Sequence, residues 1–374
     1  MHRQFKIYFN TLTMIFEFKK NKLIPLVLIG FLLAACEETN TSEPQQLPAT
    51  FTFDENLAIE YGKVVSASFE VTAKNVARVD LYFNDSIVQQ WKKPSGRISF
   101  DLDASYYGLG AKQLTLKSTL IDGKTFSDSR LIRINSDVEP EQWQVKIASS
   151  FPHNPLSFTQ GLEFSDGVLY ESTGDPNRDG STMVAQVNLK SGAITAKKTL
   201  DGNYFGEGIT ILGNRVYQLT WTEQKCFMYD KKSLEMDTKD FSYTGEGWGL
   251  CNDGKSIIMS DGTERLVFRN PTNFQIERTI EVYDKVGPRS KLNELEYIDG
   301  KIYANVWMLD LVLVIDPNSG RVLAEIDASD LATVGKGSGD VLNGIAYNPA
   351  TKKIYMTGKY WSKLFEVTLV KPSV

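Results

Sequence analysis

Two sets of side chains recur at fixed places in the second half of this 374-residue chain. The first stands at the start of five related hairpins. Its windows, FTQGLEF, YFGEGIT, GEGWGL, KLNELEY and DVLNGIAY, contribute Phe158, Gln160, Phe205, Glu207, Glu246, Trp248, Asn293, Glu294 and Asn343. The second stands toward the end of each returning strand and comprises Glu171, Trp221, Asp261, Trp307, and Lys359 with Trp361 in TGKYW. Aromatic rings, a few carboxylates and amides and one ammonium make the usual lining of a small-ligand pocket. Polar groups on inner strands destabilise a fold unless they are paired or in use. Glu207 lies between two glycines, a backbone that a solvated surface carboxylate does not require, which points to function. Taken singly, Trp221, Trp248 and Trp307 suit sheet packing as well as a pocket wall. The glycines at 161, 208, 249 and 344 suit close strand packing, and His153 in FPHNP reads as a loop residue with a satisfied hydrogen bond.

What must position these groups is a repeat. The hairpins GLEFSDGVLYESTG, GITILGNRVYQLTW, GLCNDGKSIIMSDG, ELEYIDGKIYANVW and GIAYNPATKKIYMTG align at Leu162, Ile209, Leu250, Leu295 and Ile345, in steps of 47, 41, 45 and 50 residues. A third strand and then a fourth follow each of the first four hairpins, while the last unit runs out after its third, LFEVTLV. The segment WQVKIAS at 143–149 can supply the missing strand and close a ring between the two ends of the segment. A period in the forties with four strands per unit is the signature of propeller blades, so the sequence predicts an all-β fold with a five-bladed β-propeller over 143–374. In such a ring the first strands line the channel, and both sets of side chains gather near one mouth.

Short alternating runs between residues 50 and 136, separated by turns such as Asn84-Asp85 and Asp122-Gly123, predict a small immunoglobulin-like β-sandwich. Pro140 and the acidic residues of SDVEPEQ at 136–142 mark a linker. Residues 1–36 read as an export signal: a cationic flank, an apolar run too short for a membrane span, and LAAC ending in Cys36, which is similar to a bacterial lipobox. Cys36 would then be lipidated and residues 37–49 would form a flexible tether, giving an exported lipoprotein held at the cell envelope by its lipid alone. The net charge of -5 argues against a polyanion-binding surface, so no nucleic acid is expected. With only His2, His153, Cys36, Cys226 and Cys251 available, the sequence also argues against a His/Cys zinc site. Cys226 and Cys251 are either bonded or buried free thiols, the second being the simpler reading.

The motifs FPHNPLSFTQGLEF, LYESTG, YFGEGIT, YQLTW, GWGL, SDGT, LNELEYIDGKIYANVW, VLNGIAYN and TGKYWSKLFEV resemble, in order and spacing, those of the plant and bacterial type of glutaminyl cyclase, also called glutaminyl-peptide cyclotransferase. The resemblance covers about residues 143–370. It implies a five-bladed propeller that converts the N-terminal glutamine of peptides or proteins to pyroglutamate, releases ammonia and needs no zinc. By motif it implies Glu207, Lys359 and Asn293 as catalytic residues and Phe158, Gln160, Phe205, Trp221, Trp248 and Trp307 as the substrate-binding wall. In that assignment Glu207 shuttles the proton while Glu294 and Glu296 are structural. The resemblance also allows a structural calcium in the channel, with no required cofactor, and a monomer is expected. Two other readings remain: a calcium-dependent lactonase-like propeller hydrolase, and a lipoprotein that binds peptide or glycan without catalysis.

Overall fold

A computed structural model of the chain describes residues 46–371, and apart from two short helices their regular structure is β-strand. The expected signal, Cys36 and residues 37–45 of the expected tether lie outside the described residues, whereas the tether's last two residues, Pro48 and Ala49, are buried and lead directly into the first strand. The first eight strands are β1 (Ala49–Phe51), β2 (Leu57–Glu60), β3 (Val64–Val71), β4 (Val76–Phe83), β5 (Ser86–Lys92), β6 (Gly96–Asp103), β7 (Gly110–Leu120) and β8 (Thr125–Asn135). They form two sheets, ordered β1-β3-β6 and β2-β8-β7-β4-β5. Alternation puts Phe69, Leu81, Leu102, Leu114, Leu116, Ile132 and Ile134 into one core between them. The periodicity does not reveal β5, an edge strand mostly exposed on both faces, whose Trp91 packs edge-on to Phe69 with ring centroids 4.9 Å apart.

The expected linker is not a free span. Ser136 N–H donates to the Asp284 carbonyl at 3.0 Å, and Arg321 Nε pairs with Asp137 at 2.7 Å. Tyr283 inserts into the core of the first two sheets, and Arg321 lies 4.2 Å from the Tyr61 ring centroid. The strand that follows, β9 (Glu141–Pro152), begins inside the expected linker.

The remaining strands fall into four-stranded antiparallel meanders. They are β10 (Thr159–Ser165), β11 (Val168–Thr173), β12 (Met183–Val187) and β13 (Ile194–Thr199); β14 (Gly206–Leu212), β15 (Arg215–Thr220), β16 (Lys225–Asp230) and β17 (Phe241–Ser242); and β18 (Leu250–Asn252), β19 (Ile257–Ser260), β20 (Arg265–Arg269) and β21 (Ile276–Glu281). Next come β22 (Leu292–Ile298), β23 (Lys301–Val306), β24 (Leu311–Ile315) and β25 (Val322–Asp327), and after the one-turn-plus helix Ser329–Gly335 the chain ends in β26 (Leu342–Asn348), β27 (Lys353–Gly358) and β28 (Lys363–Val370). β9 pairs antiparallel with β28 and so gives this last unit its fourth strand, while its first residues pair parallel with β25. That second pairing joins the last two units into one eight-stranded sheet.

The first strands β10, β14, β18, β22 and β26 pack on one another in a closed cycle, a β-propeller-like arrangement. Their backbones approach so closely that a Cβ on Gly208 would lie 2.5 Å from Leu250 N, and one on Gly249 2.0 Å from the Asn293 carbonyl. Glu294 takes the place that glycine holds in the other four first strands. Its carboxylate accepts the Leu162 and Ile345 N–H groups at 3.2 and 2.8 Å, stapling β22 to β10 and β26. Glu296 accepts the Tyr347 N–H at 3.2 Å. Both carboxylates therefore serve the ring.

Candidate active site

Four of the five first strands carry a β-bulge at one equivalent place. Pairing jumps between Thr159 and Gly161, Gly206 and Ile209, Leu292 and Leu295, and Leu342 and Ile345. The residues released from the ladder include Gln160, Glu207, Asn293 and Asn343. A bulge re-aims a side chain without ending its strand, which is how a rigid sheet offers polar groups to a cavity. The turns after the second strands supply the other half. Four are four residues long, 221–224, 261–264, 307–310 and 359–362, and three of these begin with Trp221, Trp307 and Lys359.

These elements enclose a pocket of about 410 Å³ lined by Phe158, Gln160, Pro176, Arg178, Phe205, Glu207, Trp221, Trp248, Asn293, Trp307 and Lys359. All nine residues implied by the motifs thus meet in one cavity. An open hollow of about 730 Å³ on β4 and β7, lined by Tyr82, Asn84, Asp85, Gln113, Thr115 and Lys117, has no buried charge and lacks the desolvation that chemistry needs.

Glu207 is 5% exposed, and its Oε1 accepts Gln160 Nε2–H at 3.0 Å. Gln160 Oε1 in turn accepts Asn343 Nδ2–H at 3.2 Å, so the amide orientation that holds Glu207 is itself fixed. Burial pushes the Glu207 carboxyl well above the ordinary range. Lys359 opposes the shift, while Glu223 and Glu246 add to it. Lys359 is 4% exposed, with Nζ 4.5 Å from the Phe158 ring centroid. Burial lowers the pKa of this ammonium, against the carboxylates Glu207 and Asp340. Asn293 Oδ1 is buried without a hydrogen-bond partner, an acceptor that a ligand in the pocket can satisfy.

The aromatic wall is built from ring contacts, a tilted one from Tyr360 to Phe158 at 5.1 Å and edge contacts from Phe158 to Phe205 at 5.9 Å, Phe205 to Trp221 at 5.7 Å and Trp248 to Trp307 at 5.5 Å. Glu246 bridges the remaining gap, its Oε2 accepting both Trp221 Nε1–H at 2.7 Å and Trp248 Nε1–H at 2.9 Å.

Three residues of the second set sit elsewhere. Trp361 is fully buried against Phe365, with Nε1–H on the Asp340 carbonyl at 2.8 Å, because the tight turn points it back under the helix Ser329–Gly335. Asp261 caps its own turn through Thr263 N–H at 3.0 Å and pairs with Arg265 at 3.1 Å. Glu171 is three residues out of register. The turn position equivalent to Trp221 and Trp307 is Gly174, where a Cβ would lie 2.4 Å from Phe205 Cε1. The first unit gives up a wall residue there so that Phe205 and Phe158 can close the pocket.

Pro176 and Arg178 were not singled out by the sequence. They stand on the turn 174–182, more than twice the length of its four counterparts, and that insertion was the available signal. Asp175 pins the turn by accepting the Gly180 and Ser181 N–H groups at 2.7 and 3.1 Å, and Arg178 pairs with Glu223 at 2.8 Å. Cys226 and Cys251 are buried free thiols.

Glu294 and Glu296 are spent on backbone N–H groups, and among the described residues no group of three or more His, Cys, Asp or Glu is arranged to hold a metal ion.

A family profile described as glutamine cyclotransferase matches residues 121–369. A curated Arabidopsis thaliana protein named glutaminyl-peptide cyclotransferase is 37% identical over 236 residues, covering 62% of this chain and 72% of that protein. The crystal structure of Myxococcus xanthus glutaminyl cyclase superposes with a TM-score of 0.59 at 38% identity, covering 63% of this chain and all of that one. The matched stretch takes in every residue of the pocket, and the chain belongs to the glutamine cyclotransferase family.

Proposed function

We propose that the chain is a glutaminyl-peptide cyclotransferase in which Glu207 carries the proton. The observation that carries this reading is a carboxyl buried in an aromatic pocket, oriented by Gln160 and facing the ammonium of Lys359. In the reaction the α-amine nitrogen of an N-terminal glutamine bonds to its own γ-carbonyl carbon. The bond from that carbon to the amide nitrogen then breaks, and pyroglutamate and ammonia leave.

The attacking species is a neutral amine beside a carboxylic acid. An ordinary glutamic acid lies roughly 3.5 pKa units below an α-amine, so reaching that state would cost about 5 kcal/mol. Burial of Glu207 narrows the gap. Glu207 takes the amine proton and returns it to the departing nitrogen, one group serving as base and then as acid. With Oε1 occupied by Gln160, Oε2 faces the substrate. Lys359 stabilises negative charge on the former amide oxygen, and Asn293 orients the carboxamide, its unpartnered Oδ1 accepting from the amide N–H₂. The rings fold the side chain back on its amine, the near-attack geometry that cyclisation requires.

The wider assignments belong to the same proposal. The five meanders support a five-bladed propeller over 143–374, and the two facing sheets support an immunoglobulin-like sandwich over 50–136. The Cys36 motif supports a lipid anchor at the cell envelope for a monomer acting on peptides or proteins that begin with glutamine. The protein acts with its own side chains and requires no metal. Incubation with a glutamine-initiated peptide should release one ammonia per pyroglutamate formed, equally with and without chelator. Ammonia release abolished by chelator and restored by calcium would refute the metal-independent mechanism, and no release under either condition would refute the cyclotransferase.

A further inference from the structure

His153 and Glu171 form a buried pair that the chemistry above leaves unused, with side chains 2% and 1% exposed. His153 Nδ1 lies 2.7 Å from the Trp361 carbonyl, and Nε2 lies 3.0 Å from Glu171 Oε1. A carbonyl can only accept, so Nδ1 must carry a hydrogen. Glu171 already accepts Thr159 Oγ1–H at 2.8 Å and Ser157 Oγ–H at 3.3 Å. A second proton must therefore lie between Nε2 and Glu171, since without it a lone pair would face a carboxylate.

What the pair ties together matters for the reaction. His153 N–H donates to the Ser362 carbonyl at 2.9 Å and Tyr360 N–H to the Ser157 carbonyl at 2.8 Å. The pair thus joins the entry segment 153–160, which carries Phe158 and Gln160, to the turn 359–362, which carries Lys359. Gln160 orients Glu207, and Lys359 faces it. We propose that His153 and Glu171 are positioning residues, a proton-bound buried pair that locks the first and last units together and sets the spacing of the proton carrier and the ammonium. This rests on the cyclotransferase reading for its kinetic consequence, though not for its protonation state.

Groups facing the imidazole are the Glu171 carboxylate, the Ser157 and Thr159 hydroxyls behind it, and the Trp361 carbonyl from the opposite turn. Burial lowers the affinity of the ring for its proton, but the Glu171 charge and hydrogen bond outweigh this and leave the imidazole pKa raised.

The chain has only two histidines, so ¹⁵N NMR of imidazole-labelled full-length protein, with His2 identified by substitution, reads His153 directly. Both ring nitrogens should carry protons through neutral pH. In Glu171→Gln the new amide donates to Nε2, and the ring should become neutral with its hydrogen on Nδ1 while the geometry survives. His153→Ala should lower kcat about tenfold or more with a smaller change in KM, because Gln160 and Lys359 act on the transition state, and Glu171→Gln should stay within about threefold of the parent. A His153 ring that titrates near the ordinary 6.5 overturns the protonation claim. A folded His153→Ala variant with unchanged kcat overturns the positioning claim. If His153→Ala does not fold, Glu171→Ala takes its place: a folded Glu171→Ala variant with unchanged kcat overturns the positioning claim, and a loss of about tenfold or more supports it. A parent protein without ammonia release would sink the cyclotransferase reading and leave the NMR result standing.

Discussion

Replacing Glu207 by glutamine would remove the proposed proton carrier and almost nothing else. The new side chain has the same length, and its Oε1 can still accept Gln160 Nε2–H, so the bulge and the pocket floor stay in place. Burial already disfavours the charged carboxylate, and its loss should leave the melting temperature unchanged or raised. General acid–base assistance by one group is worth about 10² to 10⁴ in rate. In the proposed reaction the same carboxyl serves both the attack and the departure, and among the described residues no other acid lines the pocket to take over. The expected loss in kcat is therefore at the upper end, about 10⁴, or roughly 5.4 kcal/mol of barrier. A second signature follows from Lys359. Glu207 is the main charge supporting its protonation, so the variant's ammonium should titrate at lower pH and its residual activity should fall with rising pH sooner than in the parent. Single-turnover ammonia release on a glutamine-initiated peptide, across pH and alongside a thermal melt, measures both effects. Turnover above about a tenth of the parent in a folded variant would refute the shuttle, since proton transfer would then contribute less than the smallest effect such groups supply.

Two further outcomes follow from the geometry. Gly174→Ala places a Cβ 2.4 Å from Phe205 Cε1 and 3.0 Å from Phe158 Cδ1. The rings must move into the pocket, and kcat/KM should fall about tenfold or more with little change in melting temperature, while undiminished activity would show that the wall is not tightly set. The second outcome concerns stability. Burial raises the Glu163 carboxyl from 4.5 to about 8, and Glu294 and Glu296 are raised in the same direction. A carboxyl that binds its proton more tightly when folded contributes stability that is complete below its unfolded pKa and is lost as pH rises through the folded one. Melting temperature should therefore decline from about pH 4.5 to pH 8, and Glu163→Gln should flatten that slope. An unchanged slope in the variant would place the effect on other groups.

The repeat and the pocket were legible for one reason. A ring of equivalent units puts equivalent sequence positions at equivalent depths, so aligning Leu162, Ile209, Leu250, Leu295 and Ile345 was already a statement about space. That logic fails where a unit departs from the pattern. Glu171 looked equivalent to Trp221 and Trp307 because the chain passes through similar residues, yet the turn that follows it is five residues longer than the others and the true counterpart is Gly174. The same insertion brings Arg178 to the mouth, a placement that depends on how Asp175 folds the turn. Trp361 was misplaced for a different reason: two residues past Lys359 a tight turn reverses direction, and composition does not register direction. His153 was correctly read as a hydrogen-bonded loop residue, but its partners lie 18 and 208 residues away. Sequence can show that a buried imidazole needs partners. Only the closed ring, which brings the last turn beside the first, shows that both of them are acceptors and that the ring must keep its second proton.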